Sequence, residues 1–183
     1  MNLPNKLTVL RAIMIVPFVI IMLTECFGAL SNWVALAIFV IASITDLLDG
    51  KIARKYNLVT NFGKFMDPLA DKLLVCSALI CLMEIGKIPA WAVIIIMGRE
   101  FIISGFRLVA SDNGVVIAAS MWGKSKTVSQ MVMTIMMLGY LPIVIGGFDV
   151  YNFLTQIAMY VAVILTVVSL IDYIIKNKDV MKQ

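Results

Sequence analysis

Four aspartates, Asp46, Asp49, Asp67 and Asp71, stand in sequence whose neighbours are largely apolar. A charge at the centre of a bilayer costs about 2.5 to 3.5 kcal/mol on insertion scales, so acids in such surroundings mark a site or a wet cavity. Two strings carry them: Asp46-Leu-Leu-Asp49-Gly50-Lys-Ile-Ala53-Arg54 and, after eight further residues, Gly63-Lys-Phe-Met-Asp67-Pro-Leu-Ala-Asp71. On helices, Asp46, Asp49 and Ala53 fall at i, i+3, i+7 and Asp67 and Asp71 at i, i+4, so each set shares a face. Two adjacent helices can then aim four carboxylates at one point. Oxygen ligands with no histidine in the chain and no cysteine close by suit a hard divalent cation, Mg2+ or Mn2+. Two such cations neutralise four acids, and paired metals also hold the attacking and leaving oxygens of a phosphoryl displacement. Helix capping accounts for one or two of these acids, since Asp46 follows Thr45 and Asp67 precedes Pro68; it does not account for four at this spacing.

The elements that must position them are apolar throughout. The chain has 183 residues, 62% of them hydrophobic, and a mean hydropathy of +1.01, well beyond an ordinary soluble domain. Runs long enough to span a bilayer, about 20 residues each, occur at Leu7–Phe27, Trp33–Arg54, Phe65–Glu84, Pro89–Ala110, Met121–Ile145 and Asn152–Ile175. The expected fold is an all-α integral membrane protein of six transmembrane helices in a single domain, residues 1–183. Gly28 with Ser31-Asn32, the polar Lys55–Lys64 stretch, Gly86-Lys87, Ser111–Gly114 and Gly146–Asp149 supply the breaks. The first run is too long for a signal-peptide core and has no small-residue cleavage pattern after it. Residues 1–6 are expected as a short interfacial segment leading into it.

Basic residues orient this arrangement. Lys6 and Arg11, the group Lys51, Arg54, Lys55, Lys64 and Lys72, the group Arg99, Arg107, Lys124 and Lys126, and Lys176, Lys178 and Lys182 fall toward one side of six spans; only Lys87 falls on the other. The positive-inside rule then places both termini and the acids at the cytoplasmic face of the cell membrane. The net charge of +4 sits beside anionic lipid and anionic substrates and needs no nucleic acid to explain it. Cys26, Cys76 and Cys81 lack a paired spacing and read as small buried hydrophobes.

The two acidic strings together resemble the signature D-x-x-D-G-x-x-A-R-x8-G-x3-D-x3-D of the CDP-alcohol phosphotransferases, and every defined position is met. The resemblance implies six transmembrane helices, a two-metal site of Mg2+ or Mn2+ near the cytoplasmic face, and transfer of a phosphoalcohol unit from a CDP-linked donor with release of CMP. Carried over residue by residue, Asp46, Asp49, Asp67 and Asp71 look like metal ligands, with Asp71 also the general base. The donor would lie against Asp46, Asp49, Gly50, Ala53, Arg54, Gly63 and Asp67. Gly50 and Ala53 are small enough for a nucleotide to approach the backbone, or for helices to pack closely. Arg54 can offer paired hydrogen bonds to a phosphate or act as an interfacial anchor, and Gly63 leaves room for ribose or phosphate or simply makes a turn. The family also suggests a homodimer.

Residues outside the signature must choose the acceptor. Gly98-Arg99-Glu100-Phe-Ile-Ile-Ser104-Gly-Phe-Arg107, Trp122-Gly123-Lys124-Ser-Lys126-Thr127 and the opening Asn2-Leu-Pro4-Asn5-Lys-Leu-Thr8-Val-Leu-Arg11 resemble the phosphatidylglycerophosphate synthase branch of the family. That resemblance implies CDP-diacylglycerol as donor and sn-glycerol 3-phosphate as acceptor, the latter held by Arg99, Arg107, Lys124, Lys126 and Thr127. Four cations would suit a phosphorylated acceptor better than serine, choline or ethanolamine, although Lys124 and Lys126 also read as positive-inside anchors. Glu100 either balances Arg99 in that pocket or pairs structurally. A phosphatidylinositol-phosphate synthase of the same family is the second reading. A divalent-cation transporter is the third, opposed by acids gathered at one face and by the lack of an inverted repeat.

Overall fold

The computed structural model describes residues 2–56, 60–112, 117–118, 120–141 and 143–178; within its helices the side chains at 3, 47, 49–51, 53–55, 61, 64 and 112 lie outside that description. The described residues form α1 (Leu3–Thr24), a 3-10 turn (Gly28–Leu30), α2 (Ser31–Lys55), α3 (Asn61–Glu84), α4 (Ala90–Asp112), α5 (Met121–Leu138), a two-stranded hairpin of β1 (Val144–Ile145) and β2 (Phe148–Asp149), and α6 (Val150–Asn177). They divide into two compact units, Met1–Lys87 and Ile88–Gln183.

The helix starts follow capping chemistry. Asn2, Thr60, Ser120 and Asp149 are N-caps whose side chains accept the backbone N–H groups of Asn5, Gly63, Gly123 and Asn152, satisfying donors that have no partner inside the helix. Residues 3–6 therefore belong to α1 itself, continuous with the first apolar run. The Asn152 N–H, and after it the Tyr140 hydroxyl, hold the Asp149 carboxyl below its usual range.

The fifth run was expected to reach Ile145, but α5 ends at Leu138 and a hairpin follows. Gly146 and Gly147 both take positive φ, +60° and +84°, which is what a tight hairpin turn demands and what glycine alone adopts without strain. The Tyr151 hydroxyl lies 2.9 Å from the carbonyls of both Met136 and Gly139, covering part of the carbonyl end of α5. On the connection after α3, burial pushes the Lys87 ammonium below its usual range while the Glu25 carboxylate opposes the shift. Of the three cysteines only Cys81 is buried; Cys26 is exposed, since the chain leaves α1 at Glu25 in a left-handed turn.

In the first unit α1 packs along both α2 and α3, which touch each other far less. Its core is a stripe on each helix: Phe18 and Met22 on α1, Ala35, Phe39 and Ala42 on α2, Ala70, Leu74 and Ala78 on α3. Alanines at the seam allow close backbone approach, and the Phe18 and Phe39 rings meet at 6.3 Å. In the second unit α6 packs on α5 and α4 through Thr155, Met159, Ala162, Thr166, Ser169 and Tyr173, spaced alternately by four and three residues. Thr155, Thr166 and Thr134 turn their hydroxyls to the carbonyl four residues back, which lets them sit in an apolar interior.

Pro4–Thr24, Gly28–Asp46 and Val150–Asn177 are long and apolar enough to cross a membrane. Helices α3, α4 and α5 fall outside that measure, and each carries ionisable residues within its length, among them Asp67, Asp71, Arg99, Glu100 and Lys126. The protein is an all-α membrane protein.

Candidate active site

The inner stripes of the first unit turn polar at one end. On α2 the spacing Ala35, Phe39, Ala42 continues to Asp46, and on α3 the line Ala78, Leu74, Ala70 runs back to Asp67. On α1 the stripe of Met22 and Phe18 continues to Arg11, Thr8 and Asn5, all buried. Periodicity that builds the core at one end thus delivers acids and their partners at the other.

The partners are specific. The Arg11 guanidinium donates from Nη1 to Asp46 Oδ1 at 2.5 Å, with the Arg11 side chain wholly buried and that of Asp46 33% exposed. The Thr8 hydroxyl lies 2.6 Å from Asp67 Oδ1 and 3.1 Å from the Pro4 carbonyl. A hydroxyl has one proton, and the shorter distance to a charged acceptor assigns it to Asp67. Thr60, the cap of α3, accepts the Gly63 N–H at 3.0 Å and donates to Asn5 Oδ1 at 3.0 Å. Asp71, one turn beyond Asp67, is exposed. Asp49, Gly50, Ala53 and Arg54 lie on the last turns of α2, their side chains outside the described residues.

Gly63 is buried among these groups. A Cβ there would stand 3.1 Å from Asn5 Oδ1, 3.3 Å from Thr60 Oγ1 and 3.6 Å from Asp67 Oδ2. Alanine would need its neighbours to give by a few tenths of an ångström while gaining helix propensity, so Gly63→Ala is expected within about 1 kcal/mol of the parent. Gly63→Val adds two methyls beyond a Cβ that already stands 3.1 Å from Asn5 Oδ1 and 3.3 Å from Thr60 Oγ1, and is expected to destabilise by about 1 to 3 kcal/mol. Thermal unfolding of both checks this; equal midpoints for the valine variant and the parent would remove the crowding argument.

Whether these residues fit divalent cations is a question of donor chemistry. The described donors are oxygens, and among the described residues the Oδ2 atoms of Asp46 and Asp67 have no hydrogen-bond partner. Asp67 Oδ2 faces the space that a Gly63 side chain would fill. Among the described residues no three ligand side chains already stand close enough to cage an ion; Asp49 is outside that comparison. The donor set fits Mg2+ or Mn2+ by type. A groove of about 420 Å³ between α1 and α3, lined by Val19, Leu23, Ser77, Ile80, Cys81 and Glu84, lies toward the opposite ends of these helices and holds none of the four aspartates.

The second unit gathers cations. Arg99 on α4 is 9% exposed and Lys126 on α5 is 2% exposed. Glu100 accepts from both, from Arg99 Nη1 at 3.0 Å and from Lys126 Nζ. Arg99 Nε donates to Ser169 Oγ of α6 at 3.0 Å, and that hydroxyl lies 3.1 Å from the Thr166 carbonyl. The guanidinium ties α4 to α6, and Glu100 extends the link to α5 through Lys126. A Cβ on Gly123 would come within 3.4 Å of Arg99 Nη2, so glycine there lets α5 pass beside it. Among the described residues Glu100 bridges the two buried cations.

The remaining expected acceptor residues are not drawn into this group. Lys124 and Thr127 are exposed, the Thr127 hydroxyl turned to the Gly123 carbonyl at 3.0 Å. Exposed Arg107 lies over the Tyr173 ring at 5.9 Å. Ser169 belongs to no motif of the sequence, and Asn5, Thr8 and Arg11 stand in the sequence only as part of the branch-like opening string, with Arg11 also among the orienting cations. The available signal was spacing, because each falls where the apolar stripe of its helix would next place a buried residue.

A family model described as CDP-alcohol phosphatidyltransferase matches residues 1–168. The chain belongs to the CDP-alcohol phosphatidyltransferase family. The match takes in most of both units, so the acid end of the first and the buried cations of the second lie within one family unit of sequence. A CDP-diacylglycerol--glycerol-3-phosphate 3-phosphatidyltransferase of Bacillus subtilis is 45% identical to this chain, over 99% of the chain and 97% of the relative. A protein of the same name from Rickettsia typhi is 40% identical over 94% of each. A probable phosphatidylglycerophosphate synthase of Mycobacterium tuberculosis is 38% identical over 94% of the chain and 80% of its own length.

Proposed function

We infer that the chain transfers the phosphatidyl group of CDP-diacylglycerol to sn-glycerol 3-phosphate, giving phosphatidylglycerol phosphate and CMP in phospholipid synthesis. The observation that carries this reading is the joint presence, in one family member, of the complete acid signature and of two buried cations sharing one carboxylate. The first suits a pyrophosphate donor, the second an acceptor that brings its own phosphate. The names of the relatives at 38% to 45% identity agree with it.

The chain works as a multi-pass domain, residues 1–183, with six spans, both termini at the cytoplasmic face and the acids there as well. The distribution of Lys and Arg supports this orientation, and the family match across both units supports a single domain. It acts as a homodimer, as the family resemblance suggests.

Asp46, Asp49, Asp67 and Asp71 hold two divalent cations, Mg2+ or Mn2+, which when bound draw off the negative charge of the donor pyrophosphate. Gly50 and Ala53 leave the backbone open to the nucleotide, Gly63 keeps the start of α3 clear of a side chain beside the donor-binding Asp67, and Arg54 pairs with a donor phosphate. Asp71 takes the proton from the acceptor's primary hydroxyl. That oxygen forms a bond to the β-phosphorus as the bond from phosphorus to the CMP oxygen breaks, and CMP leaves with the electron pair. Arg99 and Lys126 hold the acceptor phosphate, with Arg107, Lys124 and Thr127 as further contacts. Positioning and charge stabilisation supply most of the acceleration.

The test is CMP release by detergent-purified protein given CDP-diacylglycerol with sn-glycerol 3-phosphate, an inositol phosphate or serine, with and without EDTA. Turnover is expected with glycerol phosphate alone and is expected to fall to background in EDTA. Turnover with inositol phosphate instead would keep the chemistry and overturn the acceptor; turnover unchanged by EDTA would overturn the metals.

A further inference from the structure

Asn5, Thr8 and Arg11 follow one another at three-residue spacing on α1 and are 7%, 0% and 0% exposed. None belongs to the acid signature, yet two of them reach an acid on another helix: Thr8 to Asp67 on α3 and Arg11 to Asp46 on α2. The third, Asn5, accepts from the hydroxyl that caps α3, fixing the start of the helix that carries Asp67 and Asp71. A carboxylate that must bind a cation needs its rotamer held, because an aspartate swings about two torsions and only some settings point an oxygen at the ion. Groups that hydrogen-bond to a metal ligand usually do this holding.

We propose that this face of α1 is the positioning element of the acid cluster: Thr8 fixes Asp67 and Arg11 fixes Asp46, each through Oδ1, so that Oδ2 of both acids is left to the cation. The proposal rests on the metal reading of the four aspartates. Geometry supports it on three counts. Both bonds are short and end on a charged oxygen. The Thr8 hydroxyl and the Arg11 side chain are buried without access to solvent, so water does not replace them. Both bonds use the same oxygen of their acid, and the other oxygen has no hydrogen-bond partner among the described residues.

Thr8 is the residue on which to test this. Arg11 is itself a cation beside a cation site, so its replacement mixes lost orientation with relieved repulsion. Thr8→Val keeps shape and charge and removes only the hydroxyl. Mn2+ is titrated into the detergent-purified full chain and the free ion read by its paramagnetic resonance signal, for the parent, Thr8→Val and Thr8→Ser; thermal unfolding of each is followed in EDTA. Thr8→Val is expected to weaken Mn2+ binding about 10- to 100-fold, and Thr8→Ser to bind within a few-fold of the parent. Thr8→Ala gives the same readout should the valine variant fail to fold. A valine variant that unfolds earlier yet binds Mn2+ as tightly as the parent would assign Thr8 to packing and overturn the proposal, as would a serine variant as weak as valine. A parent that binds no Mn2+ would overturn the metal reading, and this proposal with it.

Discussion

Asp71→Asn is expected to lower kcat for CMP release by roughly 10²- to 10⁴-fold, the range contributed by a positioned general base. Asparagine keeps the size of aspartate and cannot take the acceptor's proton. Asp71 follows Asp67 by one helical turn and is the exposed member of the pair, whereas Asp67 is partly buried and tied to Thr8. An acid that meets an incoming hydroxyl needs that exposure. The measurement is kcat at saturating donor and acceptor, repeated across rising Mn2+. A base leaves a deficit that metal does not repair; recovery at high Mn2+ would reduce Asp71 to a ligand, and activity within a few-fold of the parent would remove it from the chemistry.

The second large effect is expected at Lys126. Arg99 and Lys126 both meet the carboxylate of Glu100, so deleting Lys126 removes one of the two charges this group offers to an arriving phosphate. A hydrogen bond to a charged group contributes about 1.5 to 3 kcal/mol. Lys126→Met is therefore expected to raise KM for glycerol phosphate roughly 10- to 100-fold and to leave KM for CDP-diacylglycerol within a few-fold. Glu100→Gln is the informative companion: it removes the competing carboxylate and keeps both cations, so its KM for the acceptor is expected to stay at or below that of the parent. If both variants raise KM for donor and acceptor alike, the group serves to hold α4 against α5 and does not read the acceptor.

The order of the helices and the acid signature were legible in sequence, because apolar runs and caps are local. Gly146-Gly147 reads as a break and is one, whereas the end of the helix before it does not follow from the apolar run. An apolar run was followed to Ile145, but the two glycines close a hairpin and the helix stops at Leu138. The cations show a different limit. Sequence set Arg99 and Arg107 apart from Lys124 and Lys126, which also read as positive-inside anchors, and burial divides them differently: Arg99 and Lys126 lie inside on the seams of α4 and α5, while Arg107, Lys124 and Thr127 are exposed.

By itself the sequence determined a helical membrane protein and the four acids with their helical spacing, since residue type and a 3.6-residue period are local properties. It also held the family, in a signature too long to arise by chance. Only the tertiary structure decided which groups sit against the acids. That α1 lies along both α2 and α3, bringing Thr8 to Asp67 across 59 residues and Arg11 to Asp46 across 35, follows from how three apolar stripes pack together. It likewise decided that Glu100 lies between Arg99 and Lys126 and that Ser169 receives the guanidinium. Contacts between helices depend on which faces meet, and no local rule of spacing fixes that.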